Sequence, residues 1–338
     1  MLSKRKSGIE CLRLLIMFGI VISHWGGHGS VSLLDSCNKF YNVIWLQLSQ
    51  FFGEVANCVF VIISGYFSSS RTSINLKGIR NIVIDVKFYS ILMFFITVMI
   101  GEQVFNLKTT LLALFPILFS QYWFVIPFLC ICLISPWLNE IIGKLDKKTA
   151  FYFYCLQFLF ILILPIIGNS SIASNITLFV FYYCLGAGLN IHKDWFKIFE
   201  DNKYLLSILA FGGAVIVCCA IDIMGTPLIF NRLIGRFSPF PLFTAVGLFY
   251  IFLQFNIYNT SINKLAISTF SVYLISENAN VYPWFWKLYF DNAVYSDSPY
   301  MIPISILQCL IVFVICIMID QVYRLIRDKI GCNLYRLS

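Results

Sequence analysis

The sequence predicts an all-α, polytopic membrane protein with about ten transmembrane helices, and three observations support this fold class. Of the 338 residues, 59% are hydrophobic and only 12% are charged, whereas a soluble domain averages roughly a quarter charged residues. Apolar runs long enough to cross a bilayer recur from one end of the chain to the other. The Lys and Arg residues concentrate in alternate loops, which is typical of a multi-pass protein.

The apolar runs define ten predicted spans within one domain that covers residues 1–338. These spans lie at about 9–26, 54–69, 82–101, 122–142, 150–168, 175–191, 204–221, 240–257, 264–283 and 301–323. We predict that segment 42–52 is a separate helix at the membrane interface, and that segment 109–119 is amphipathic or re-entrant. The basic N-terminus leads into the first span without a small-residue cleavage site, so we expect that span to be retained.

The distribution of basic residues predicts that both termini are cytoplasmic. With ten spans and this orientation, the inner segments hold 17 of the 24 Lys and Arg residues, and the outer segments hold five. The net charge of +8 therefore reflects topology, and we expect no nucleic-acid partner.

The twelve cysteines predict neither a disulfide framework nor a metal site. Most of them fall inside apolar spans, where a cysteine behaves as a small hydrophobe. Cys130 and Cys132 lack the CxxC spacing and have no histidine nearby. We therefore expect no bound metal.

The first span carries an arginine and a histidine that are candidates for chemistry. Arg13 and His24 are eleven residues apart, about three helical turns, so they share one helix face at a separation of about 16 Å. Arg13 either pairs with Glu10 or binds an anionic ligand from the cytosol. His24 is either a hydrated interfacial residue or a general base. His28, placed in a glycine-rich loop, and His192, at an inner helix end, are expected to be solvated.

Predicted span nine is unusually polar and contains the intramembrane carboxylate of Glu277. Such a carboxylate is a functional candidate that could orient or charge-balance His24. The alternative is a hydrogen-bond cluster between helices. On the inner side, Arg71, Lys77 and Arg80 could hold phosphate groups, although basic inner residues commonly only set topology.

These residues resemble the signature of the acyltransferase family 3 membrane O-acyltransferases. The likeness runs from residue 9 to about 287 and rests on four motifs: Arg13-x10-His24, Phe60-Val-Ile-Ile-Ser64-Gly65-Tyr66, Trp123-Phe-Val with Ser135-Pro136-Trp-Leu138-Asn139, and Ser271-Val-Tyr273-Leu-Ile-Ser276-Glu277-Asn278. The last two are similar to a subgroup found in polysaccharide gene clusters. The chain departs from the family at Val83, where a second arginine is common, and at Ser276, where many members have histidine.

The resemblance implies a bacterial enzyme of the cytoplasmic membrane. It would move an acetyl or other short acyl group from cytosolic acyl-CoA to a hydroxyl of a capsular or other cell-surface polysaccharide. The catalytic residues would be Arg13 and His24, and we expect Glu277 to assist. The expected contacts of acyl-CoA are Arg13, Arg71, Lys77, Arg80, Ser64, Gly65 and Tyr66. Those of the acceptor are Trp123, Tyr273, Ser276 and Asn278.

Acetyl-CoA would be a substrate, so the resemblance implies no permanently bound cofactor. The expected partners are acyl-CoA, a polysaccharide or lipid-linked glycan, and membrane lipid. His24 could be the base for the acceptor hydroxyl, or it could carry the acyl group itself. On either route, His28→Ala is expected to be nearly silent.

Two other functions remain open at this point. A transporter or lipid-linked sugar flippase would equally explain ten spans and intramembrane charges, although the chain has no detectable internal repeat. An inactive membrane scaffold would leave Arg13, His24 and the polar span nine unexplained.

Overall fold

The computed structural model describes residues 6–30, 39–168, 173–225 and 230–337, and all regular secondary structure within these ranges is helical. Seven helices in the described ranges are long and apolar enough to cross a membrane. Two shorter apolar helices, Asn175–Ile191 and Pro239–Leu253, accompany them. The all-α, polytopic fold class is therefore confirmed, while the count of ten spans and the cytoplasmic termini stay predictions.

The helices in chain order are α1 (Ser7–His28), α2 (Phe40–Ser68), α3 (Leu76–Met99), α4 (Leu107–Leu114), α5 (Val125–Lys144), α6 (Lys147–Phe158), α7 (Leu164–Ile166), α8 (Asn175–Ile191), α9 (Lys197–Asp201), α10 (Lys203–Ile223), α11 (Phe230–Leu233), α12 (Pro239–Leu253), α13 (Thr260–Ala266), α14 (Thr269–Ser276), α15 (Tyr282–Leu288) and α16 (Met301–Leu337). A π-helical turn, Leu159–Ile163, joins α6 to α7, so residues 147–166 run as one unit.

Helix α2 is longer than predicted, because segment 42–52 is not a separate interfacial helix. The helix is continuous over 29 residues, or about 44 Å at 1.5 Å per residue. Two of its polar side chains, which suggested an interface, donate hydrogen bonds inside the protein. Gln50 Nε2 donates to the carbonyl of Ser23 at 2.9 Å, and Asn42 Nδ2 donates to the carbonyl of Ser296 at 2.7 Å.

Predicted span nine is not one helix but the three short helices α13, α14 and α15. Between α14 and α15, the side chain of Asn278 accepts a hydrogen bond from the backbone N–H of Asn280 at 2.9 Å, which forms a local turn. Pro283 lies in the first turn of α15, where a missing backbone N–H costs no helical hydrogen bond. Glu277 consequently lies at the break that follows α14.

Helix α1 lies at the centre of the fold and contacts α2, α12 and the segment α13–α16. Helix α2 packs against α1 and α8. A β-carbon at Gly65 of α2 would overlap the carbonyl oxygen of Tyr183, and one at Gly186 of α8 would overlap that of Ile62. Small residues allow this close approach of two helices. Gly65, which is expected to contact acyl-CoA, lies at this contact between α2 and α8.

The predicted sidedness can be tested with reporter fusions. Fusions at Lys148 and Asn202 should report a cytoplasmic location, because both lie in lysine-bearing loops on the predicted inner side. A fusion at Asp297 should report the outer side. Two further outer positions, Ser36 and Asn169, fall outside the described residues. An outer signal at Lys148 would overturn the topology.

Candidate active site

Three titratable side chains converge at the C-terminal end of α1. Nε2 of His24 and Nε2 of His28 lie 2.9 Å and 2.8 Å from the same oxygen, Oε2 of Glu277. The two histidines are one turn apart on α1, and their ring centroids are 5.5 Å apart. The side chains of His24 and Glu277 are only 11% and 13% exposed, so the cluster is largely buried. We refer to His24, His28 and Glu277 as the trio.

His28 is the member of the trio that sequence reasoning set aside. It does not lie in a loop, because α1 continues through Gly26 and Gly27 to His28, and the two glycines pack against Ser49 and Gln50 of α2. The ring of His28 also stacks on Tyr282, with centroids 4.3 Å apart. The four-residue spacing from His24 was visible in the sequence, but the carboxylate partner lies 249 residues away.

The second ring nitrogen of His24 is also engaged. Nδ1 lies 3.0 Å from Oγ of Ser276, and that hydroxyl donates to the carbonyl of Val272 at 2.8 Å. A serine hydroxyl has one proton, so when it donates to Val272 it accepts from Nδ1–H of His24. Nε2 faces the Glu277 carboxylate, so both ring nitrogens of His24 are engaged.

A cavity of about 530 Å³ extends along the same face of α1. Arg13, Met17 and Ile20 contribute to its wall at successive turns of the helix, and His24 occupies the next turn of this face. Tyr273 of α14 also lines the cavity, and its ring centroid is 6.3 Å from that of His24. The cavity therefore extends to Tyr273, which lies beside His24 of the trio.

Arg13 pairs with Glu10 and also faces the cavity, so its position fits both interpretations of the sequence. Its Nη1 lies 3.7 Å from Oε1 of Glu10, which is the predicted pair within the helix, and its side chain also lines the cavity. Arg71 lines this cavity and an adjoining one of about 440 Å³, whose wall includes the serine-rich segment 69–74 and Trp137. Arg13 and Arg71 thus both line the cavity of about 530 Å³.

Several residues expected to contact acyl-CoA do not line this cavity. Ser64 does, but Lys77 and Arg80 are exposed, and α3 turns Gly78, Ile79 and Asn81 toward the space instead. The sequence placed Lys77 and Arg80 in a loop, whereas both lie in α3, whose packing decides which side chains face the cavity. Tyr66 packs edge-on against Phe249 of α12, with ring centroids 5.0 Å apart.

The residues expected to bind the acceptor fall into two groups. Tyr273 and Ser276 lie beside His24. Asn278 is buried and donates to the hydroxyl of Tyr122 at 2.6 Å, so its side chain stabilises the break after α14. Trp123 does not line the cavity, and its indole is covered by the guanidinium of Arg236 at 3.8 Å.

Arg236 belongs to an ion pair that sequence reasoning missed. Its Nε lies 3.2 Å from Oε2 of Glu54, and its Nη1 donates to Asn175 at 2.9 Å. This contact ties the segment before α12 to α2 and α8. From the sequence alone Arg236 counts only as a cation of an outer segment, because its partners Glu54 and Asn175 are distant along the chain.

Comparison with protein families identifies the chain. A family model described as an acyltransferase domain matches residues 6–320, which is nearly the whole chain and includes the trio and both cavity arginines. Comparisons with curated proteins and with solved structures find no match. With its membrane-spanning helices and this match, the chain belongs to acyltransferase family 3 and is a membrane acyltransferase.

Proposed function

We propose that the protein transfers an acetyl or other short acyl group from cytosolic acyl-CoA to a hydroxyl of a capsular or other cell-surface polysaccharide, within the bacterial cytoplasmic membrane. One observation carries most of the support. The cavity wall includes Arg13, Arg71 and Tyr273, and Tyr273 lies beside His24. A donor held by the arginines would therefore extend toward a base.

The cavity has the chemistry that an acyl-CoA needs. Guanidinium groups bind phosphate oxygens with charge-assisted hydrogen bonds, so Arg13 and Arg71 suit the phosphates of CoA. Apolar side chains such as Met17, Ile20 and Phe60 line the same space and suit the pantetheine arm and the acyl group. A volume of about 530 Å³ is in the usual range for small-molecule pockets.

His24 would act as the base for the acceptor hydroxyl. It takes the hydroxyl proton as the oxygen attacks the thioester carbonyl, the carbon–sulfur bond breaks, and the proton passes to the departing thiolate. The products are the sugar ester and free CoA thiol. Glu277 stabilises the imidazolium that exists between the two proton transfers, because its carboxylate lies 2.9 Å from Nε2.

The acceptor can reach a ring nitrogen of His24 only if one of the two contacts of that ring opens, because Ser276 and Glu277 occupy both nitrogens. His28 has a contact of its own with Glu277 at 2.8 Å. It can therefore hold the carboxylate in place while His24 engages the substrate.

Two measurements test this function together. Purified protein supplied with acetyl-CoA and the surface glycan should release CoA thiol and acylate the glycan. Mass analysis of surface polysaccharide should show fewer acyl groups in a strain that lacks the gene. A transporter or flippase would release no thiol. Unchanged glycan acylation together with no thiol release would contradict the proposal.

Arg71 and Arg80 provide a matched pair for testing the donor site. Arg71→Ala should weaken acyl-CoA binding by about 10- to 100-fold, because a hydrogen bond to a charged group contributes roughly 1.5–3 kcal/mol. Arg80→Ala removes the same charge from an exposed position outside the cavity and should change the affinity little. Calorimetric titration with CoA measures both. Equal losses would indicate general attraction to the inner surface instead of contacts in the cavity.

A further inference from the structure

We infer that the trio is also a binding site for a divalent cation, with Zn²⁺ as the best-suited ion, and that bound zinc inhibits acyl transfer. The inhibitory part rests on the proposed role of His24 as a base. The binding itself rests only on the geometry of three side chains.

The ligand atoms already converge on one point. One ring nitrogen of His24, one of His28 and a carboxylate oxygen of Glu277 all lie within 4.8 Å of one another. Tetrahedral zinc with bonds of about 2.0–2.1 Å places its ligand atoms about 3.3 Å apart. The two His–Glu separations of 2.9 Å and 2.8 Å would have to widen by about half an ångström, and the His–His separation, which is at most 4.8 Å, would have to narrow toward the same value.

The chemical types of the ligands favour zinc over calcium and magnesium. Two histidines at positions i and i+4 of one helix face the same point, as in helical zinc sites, and a carboxylate from a second element completes the set. Calcium and magnesium prefer ligand sets made of oxygen atoms, which two imidazoles do not provide. Three protein ligands leave a fourth position for water.

The contacts behind the trio are those that hold metal ligands in position. A histidine that binds a metal commonly donates its other ring N–H to a fixed acceptor. Nδ1 of His24 has such an acceptor in Ser276, which is itself anchored to Val272. His28 is held by the ring of Tyr282. His28 is also the most exposed member of the trio, at 24%, which gives an ion a route of entry.

Zinc at this position would block the base. The ion takes the lone pair of Nε2 of His24 and occupies the Glu277 oxygen that would stabilise the imidazolium. The ring could then accept no proton at Nε2, while Nδ1 stays bound to Ser276. Acyl transfer should stop as the site fills.

Calorimetric titration of the purified, detergent-solubilised chain with Zn²⁺ tests the binding. We expect one ion per chain. His28→Asn and Glu277→Gln each remove a ligand. Each should weaken zinc binding by about 10- to 100-fold or more, because losing even a residue that only supports a ligand has that effect. His192→Asn is the matched control, because it removes the chain's third histidine, which stacks on Trp195 at 3.7 Å. Each variant is used only if its elution profile in gel filtration matches that of the wild type.

Three results would overturn the binding site: no zinc binding by the wild type, unchanged binding by His28→Asn, or loss of binding in His192→Asn. The inhibition is tested separately by CoA thiol release. Turnover should fall over the range of zinc concentration that fills the site and return when EDTA is added. Turnover that zinc leaves unchanged or raises would overturn inhibition. Absence of turnover without zinc would instead refute the proposed function, and the titration would still decide the binding.

Discussion

Replacing His24 by glutamine should lower acyl transfer by about 10²–10⁴-fold, the usual cost of losing a general base. Glutamine can hydrogen-bond, but it cannot relay a proton. The two ring nitrogens of His24 contact Ser276 and Glu277. The glutamine amide could replace hydrogen bonds but provides no nitrogen that accepts a proton. His24→Ala should have the same effect.

The measurement for His24 is the acyl content of the surface glycan in strains with matched protein levels, together with CoA thiol release by the purified variants. His192→Gln is the control, because His192 lies elsewhere, with its ring on Trp195 and its Nε2 3.1 Å from the carbonyl of Ile142. Normal acylation by His24→Gln would end the assignment of His24 as the base.

The sequence suggested that His28→Ala would leave acyl transfer nearly unchanged, but the contacts of His28 in the structure argue against using it as a control. His28→Ala removes one of the two histidine contacts of Glu277 and the ring that stacks on Tyr282. We now expect this variant to reduce transfer, though by less than His24→Gln, because the second contact of Glu277 with His24 stays.

Replacing Arg13 by alanine should all but abolish acyl transfer while the protein still accumulates. The change removes a cation from the wall of the donor cavity, and hydrogen bonds to charged groups contribute roughly 1.5–3 kcal/mol each. Arg13→Lys should restore part of the activity, since it keeps the charge but not the planar, bidentate geometry. CoA thiol release at saturating and limiting acetyl-CoA measures the effect.

A double variant separates the donor role of Arg13 from simple neutralisation of Glu10. The carboxylate of Glu10 is only 7% exposed and lies 3.7 Å from the Arg13 guanidinium. If Arg13 only balanced this buried charge, Glu10→Gln combined with Arg13→Ala would recover activity. We expect no recovery. Recovery would refute donor binding by Arg13.

The part of the site that lies on one helix could be predicted from the sequence. Helical periodicity alone places Arg13 and His24 on one face of α1, and the structure continues that face through Met17 and Ile20. The contact between His28 and Glu277 joins positions 249 residues apart. No local pattern specifies such a pairing.

The sequence was also insufficient where polarity had more than one explanation. Gln50 and Asn42 suggested a helix at the membrane surface, yet each donates to a backbone carbonyl of a neighbouring segment. A hydropathy pattern records that a side chain is polar but not whether another segment supplies its partner. The same limit applies to Lys77 and Arg80, because the packing of α3 decides which of its side chains line the cavity.

The distance along the chain between the two histidines and Glu277 has a consequence for biosynthesis. At about 5–20 residues per second, the ribosome would deliver Glu277 roughly 12–50 s after His28. During that interval the histidines of α1 lack the carboxylate of Glu277. A nascent chain that stops before α14 can insert its early helices and still lack the site. The trio can therefore form only after synthesis and insertion have reached the last quarter of the chain.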